Sequence, residues 1–171
     1  MSNILYKDES YEIIGKCFEV HNNLGPGFLE IVYKDALEYE FRKANIPYTR
    51  ERKYDVNYKD ITLPHKFYAD FIVFDKIILE VKAVSGIVDE FIALAINYLK
   101  VSENKLALIV NFGELKLNYK RIILEKKLKE FFDKNKVFVM MSGTIHSELV
   151  LNKIFGVEDV EAMPQIPVSS N

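Results

Sequence analysis

Two apolar runs of the chain, 68–74 and 77–83, carry three charges: Asp70 in the first, Glu80 and Lys82 in the second. Ionised groups in a low-dielectric interior are costly unless they are paired or hold a metal, so a chain that keeps an acid, an acid and a lysine there has a use for them. Glu80 and Lys82 stand two apart, and on a strand their side chains leave on the same face. Asp70 depends on the connection. A two-residue turn at Asp75-Lys76 would pair it with Val81 and put it on the opposite face, whereas a three-residue loop, Phe74-Asp75-Lys76, or a bulge aligns it with Glu80; one of these devices is expected. Once aligned, the two carboxylates are hard oxygen ligands for Mg²⁺ or Mn²⁺. The lysine beside them is a point charge that orients a water or steadies a developing phosphorane. Phosphodiester hydrolysis needs those parts. The competing reading is an ordinary buried or edge-strand salt bridge.

The elements that must position these residues follow from periodicity. Ile14, Cys17, Phe18, His21 and Leu24 have helical spacing, ended by Gly25-Pro26-Gly27. A second helix should start near Leu29, with Glu30, Tyr33, Leu37, Phe41 and Ala44 on its inward stripe, and stop near Pro47. Residues 48–58, 61–74 and 77–84 are rich in aromatic and β-branched side chains and read as three antiparallel strands, the first two joined at Lys59-Asp60. Ile87, Phe91, Leu94, Ala95 and Tyr98 return to helical spacing, and strands are expected at 106–112 and 117–124. The order is α-α-β-β-β-α-β-β, a mixed α/β core over residues 1–124. A helix at 125–134 and a short strand at 137–141 would form an extension packed on it through residue 156, and 157–171 reads as a frayed tail.

Composition excludes more than it assigns. A chain of 171 residues, 49% hydrophobic, can bury a sizeable core, and a net charge of −2 gives no global attraction to polyanions. Any contact with nucleic acid has to come from a local patch. Residues 116–136 hold eight Lys or Arg against three acids, interleaved with Tyr119, Phe131 and Phe132, and read either as such a patch or as a solvated face. The single Cys17 makes no internal disulfide, and no Cys-Cys zinc spacing exists. No apolar run is long enough to cross a bilayer and no leader-like segment opens the chain, so a cytoplasmic protein is expected. His21 lies on an apolar stripe, where a hydrogen-bonded core role competes with that of ligand or base. His65 and His146 have no ligand-like spacing to Cys17 or to each other.

Asp70 with Glu80-Val81-Lys82 resembles the D and ExK of the PD-(D/E)XK nuclease superfamily. Gly27-Phe28-Leu29-Glu30-Ile31-Val32-Tyr33, preceded by His21 to Pro26 and followed by Tyr68-Ala69-Asp70, Asn97-Tyr98-Leu99 and Asn111-Phe112-Gly113, is similar to the GxxExxY proteins, a mainly prokaryotic group within it. The resemblance implies a central mixed sheet flanked by helices and metal-dependent cleavage of DNA or RNA. Asp70 and Glu80 would be the metal acids and Lys82 the catalytic lysine. Glu30 would be a further acid projected from a helix, its alternative being a helix N-terminal charge, and Tyr98 would support Lys82. Leu94 stands where the family commonly has a glutamine, and a leucine offers no hydrogen bond. Two other readings stay open. One is a catalytically inactive module of the same fold that binds nucleic acid or a protein partner; the other is a subunit or accessory protein whose C-terminal extension docks on a partner, the acids being merely structural, and a homo-oligomer stays open beside either.

Overall fold

The computed structural model of the protein describes residues 4–124. Its elements are α1 (Lys7–Leu24), α2 (Glu30–Lys43), β1 (Tyr48–Tyr58), β2 (Ile61–Val73), β3 (Ile77–Lys82), α3 (Asp89–Ser102), β4 (Leu106–Asn111) and β5 (Asn118–Ile123), in the order the sequence predicts. The expected helix at 125–134, strand at 137–141 and tail at 157–171 lie outside the described residues, as does most of the basic run.

The five strands form one mixed sheet in the order β1-β2-β3-β4-β5. Only β3 and β4 run parallel, and the crossover that such a step requires is α3. Side-chain alternation divides the apolar residues between the two faces. Phe71, Leu79, Val81 and Leu108 pack beneath α1 and α2 with Cys17, Leu37 and Phe41. Ile72, Ile78, Ala107 and Ile109 pack beneath α3 with Ala95 and Leu99. The strand β4, covered on both faces, is buried at every position.

In α1 the buried residues are Ile13, Ile14, Cys17, Val20 and His21, with Ser10. The helix is therefore rotated from the stripe read in sequence. Phe18 is 42% exposed, its ring meeting Tyr119 edge-on at 6.5 Å, and Ile13 and Val20 take the inward positions. Gly25, at φ +67°, ends the helix and donates its N–H to the His21 carbonyl at 2.8 Å.

The device predicted between β2 and β3 is the three-residue loop. Val73 pairs with Ile77, leaving Phe74-Asp75-Lys76 between them, with Phe74 and Asp75 both at φ +56°. A second irregularity centres on Asp70. Phe67 and Ala69 face α3, whereas Phe71 and Val73 face α1 and α2, so the alternation of β2 inverts across Asp70. Opposite this point the β1–β2 register passes from Arg50↔Phe71 to Arg52↔Ala69, and Glu51 between them sits at φ +52°.

Candidate active site

The site is built where β2 and β3 part. Their ladder comprises Val73↔Ile77, Ile72↔Ile78 and Phe71↔Leu79, and the next two positions would be Asp70 and Glu80. Instead of exchanging main-chain bonds there, the strands are bridged by the acids. The Asp70 N–H donates to Glu80 Oε1 at 3.3 Å, and the Val81 N–H donates to Asp70 Oδ2 at 2.8 Å. Both residues are buried, Asp70 at 8% and Glu80 at 3% exposure, and their side chains satisfy backbone donors that the opened ladder would leave without partners.

Burial first, and then the charge of Asp70, push the Glu80 carboxyl up to about 8, while Lys82 pulls the other way. Lys82 leaves β3 on the same side as Glu80, as the two-residue spacing requires. Its Nζ is 3.6 Å from Glu80 Oε2 and 5.4 Å from the centroid of the Phe91 ring.

Tyr98 comes from α3. Its hydroxyl donates to the Tyr68 carbonyl at 2.7 Å, which ties the helix to β2 two residues before Asp70. Burial and then the charges of Glu80 and Asp70 push its phenol up. The hydrogen bond expected to support Lys82 thus goes to the backbone that carries Asp70. Leu94 is half-buried among the apolar residues beneath α3.

Glu30 opens α2, and its Oε1 accepts from the Ala83 N–H at 3.4 Å, just past Lys82. The glycine-to-tyrosine spacing has a structural reason. Gly27 adopts φ +113°, and the Tyr33 hydroxyl, three residues after Glu30, donates to the Gly25 carbonyl at 2.8 Å and accepts the Phe28 N–H at 3.1 Å. The tyrosine clamps the loop that delivers Glu30 to the end of β3, and Phe112 stacks on its ring at 4.6 Å.

Sequence reasoning missed Lys34. Its ammonium forms an ion pair with Asp70 Oδ1, with side-chain exposures of 16% and 11%. The available signal was its position one helical turn after Glu30, on the same face of α2. Asn111 is the second omission, a polar residue ending an apolar strand. Fully buried, it accepts the Val84 N–H at 3.0 Å and donates to the Val84 carbonyl at 2.9 Å and to Glu114 at 2.7 Å, so it fixes the path of the chain leaving Lys82. Gly113 beside it leaves no room for a side chain, since a Cβ would lie 2.2 Å from the Val84 carbonyl oxygen. His21 is a hydrogen-bonded core histidine, its Nε2 2.9 Å from the Glu114 carbonyl oxygen. Arg121, from the basic run, donates to the Leu5 carbonyl at 2.6 Å.

A divalent cation fits part of the expected donor set. Asp70 and Glu80 are hard oxygen donors held together at the cost of like-charge repulsion, which a cation relieves; Mg²⁺ commonly takes one or two carboxylates and completes its shell with water. Among the described residues no group of three His, Cys, Asp or Glu side chains stands ready to hold an ion; Glu30 Oε1 faces the Ala83 N–H, and the cation beside Asp70 is the Lys34 ammonium.

No described helix is long and apolar enough to cross a membrane. No curated protein matches the chain. One solved structure, titled "Crystal structure of SSO0001", aligns at 17% identity with a TM-score of 0.46, covering 80% of this chain and 69% of that one. The family model of the PD-(D/E)XK nuclease superfamily matches residues 7–122, a span that runs from the first residue of α1 to the last but one of β5 and includes Glu30, Asp70, Glu80, Lys82 and Tyr98, and the chain belongs to that superfamily.

Proposed function

We propose that the chain hydrolyses phosphodiester bonds in a nucleic acid, DNA or RNA, using Mg²⁺ or Mn²⁺ held by Asp70 and Glu80. The observation that carries this reading is the opened β2–β3 ladder, in which two buried carboxylates replace main-chain partners with a lysine 3.6 Å from one of them. Burial and then the neighbouring Asp70 charge raise the proton affinity of Glu80, and a buried pair of acids of this kind suits a site that receives a cation.

When bound, a divalent cation supplies Lewis-acid polarisation of a phosphoryl oxygen and a more acidic water. The chain's own residues do the rest. Lys82, held between Glu80 and the Phe91 ring, directs its ammonium to the attacking water and the developing phosphorane charge. Tyr98 keeps the Asp70 backbone in place through Tyr68. Glu30, whose carboxylate lies at the end of β3 just past Lys82, would hold a bound cation directly or through water. The loop clamped by Tyr33 supports a place among the GxxExxY proteins, with the chemistry in residues 1–124.

The ion pair between Lys34 and Asp70 favours a second reading, in which the lysine is a permanent counter-ion and the fold binds its partner without cleaving it. Calorimetric titration of Mn²⁺ and Mg²⁺ into the protein and its Glu80→Ala variant, beside nicking of plasmid DNA and cleavage of single-stranded RNA, separates the two. Metal binding lost in the variant, with metal-dependent cleavage, supports the nuclease and identifies the polymer. Absence of binding at millimolar metal supports the silent module.

A further inference from the structure

We infer that Lys34 is the resting counter-ion of the acid cleft and must leave Asp70 before a divalent cation binds there, so that this one side chain sets the metal affinity of the site. The inference rests on the metal-dependent reading above.

Both carboxylate oxygens of Asp70 are engaged. Oδ2 accepts the Val81 N–H at 2.8 Å and Oδ1 is paired with the Lys34 ammonium. The two partners differ in kind. Val81 N–H belongs to a strand whose position the sheet fixes through its parallel pairing with Val110, whereas the ammonium sits at the end of a flexible four-carbon stem. An incoming cation therefore exchanges with Lys34 and leaves the Val81 bond intact. The pair is poorly hydrated, with side-chain exposures of 16% and 11%, so it competes with a metal more strongly than a screened surface pair does.

Charge balance points the same way. Asp70 and Glu80 face Lys34 and Lys82, and a divalent cation added to all four would leave an excess of positive charge in a buried cleft. Departure of the Lys34 ammonium reduces that excess. The backbone of Lys34 stays put, because the preceding residue, Tyr33, is buried and hydrogen-bonded to the Gly25 carbonyl. The displaced ammonium remains tethered at the cleft, beside Glu30 on the same helical face.

The test is calorimetric titration of Mn²⁺ into the full chain and its Lys34→Met, Lys34→Gln and Asp70→Asn variants, with the Mn²⁺-induced rise in melting temperature as a second readout. Lys34→Met and Lys34→Gln are expected to bind Mn²⁺ at least about tenfold more tightly than the unaltered protein, the factor equivalent to ~1.4 kcal/mol of competing ion pair. They should also gain more melting temperature from the ion, and Asp70→Asn should lose binding. Binding by the unaltered protein with equal or weaker affinity in both folded Lys34 variants overturns the inference and leaves the metal-dependent reading standing. No binding by any of them at millimolar Mn²⁺ overturns both.

Discussion

Replacing Glu80 with glutamine probes the acid cleft without changing its shape. In the folded protein burial and the neighbouring Asp70 charge hold the Glu80 carboxyl at about 8, against 4.5 for an unperturbed glutamate. A raised folded value means that the native state keeps the proton longer than the unfolded state does. Stability from this group is fully present below 4.5 and is lost as pH climbs to about 8, beyond which it is flat. At ~1.4 kcal/mol per pH unit the gap corresponds to a ceiling of ~5 kcal/mol, and dielectric relaxation around the side chain trims this to an expected ~2–4 kcal/mol. Glutamine never ionises, and its carbonyl oxygen can still accept the Asp70 N–H. Glu80→Gln should therefore match the wild type within ~1 kcal/mol near pH 5 and exceed it by ~2–4 kcal/mol above about pH 8. Urea unfolding followed by circular dichroism in the presence of a chelator measures both curves. Parallel pH dependences for the two proteins would refute the reasoning, because Glu80 would then be ionised in the fold at no cost.

Other perturbations address the supports of the cleft. Asn111→Ala removes the partner of both main-chain groups of Val84 and should cost ~2–3 kcal/mol in urea unfolding. Gly113→Ala sets a Cβ 2.2 Å from a backbone oxygen, so the chain must shift; a loss of ~3 kcal/mol is expected, seen as a lower melting temperature. Tyr98→Phe gives up one hydrogen bond to the Tyr68 carbonyl, and a loss of ~1 kcal/mol with unchanged Mn²⁺ affinity would mark it as a support of β2 and not a metal ligand. Cys17 is fully buried and burial pushes its thiol up, so a thiol reagent should label it only at the rate of global unfolding.

The element order was legible because helical and strand periods alternate cleanly along the first 124 residues. The alignment of Asp70 with Glu80 was legible as arithmetic on loop length, and the three-residue loop meets it. Three features were hidden. The rotation of α1 that exposes Phe18 turns on which of two adjacent apolar stripes packs better, and both contain Ile14, Cys17 and His21. The inversion of β2 across Asp70 depends on a distortion shared with Glu51 on the neighbouring strand. The partner of Lys34 lies 36 residues away, and no local spacing reports a contact between a helix and a strand at that separation. The acceptor of the Tyr98 hydroxyl is a main-chain carbonyl, which a list of side chains does not reveal.

Whether Asp70, Glu80 and Lys82 form a hydrolytic centre is decided by the cleavage rate at saturating Mn²⁺ for the wild type, Glu80→Ala and Lys82→Ala, on plasmid DNA and on single-stranded RNA. Metal-dependent cleavage of one polymer by the wild type is expected, with a loss of about 10²-fold or more in each variant. Wild-type rates in both variants would contradict it.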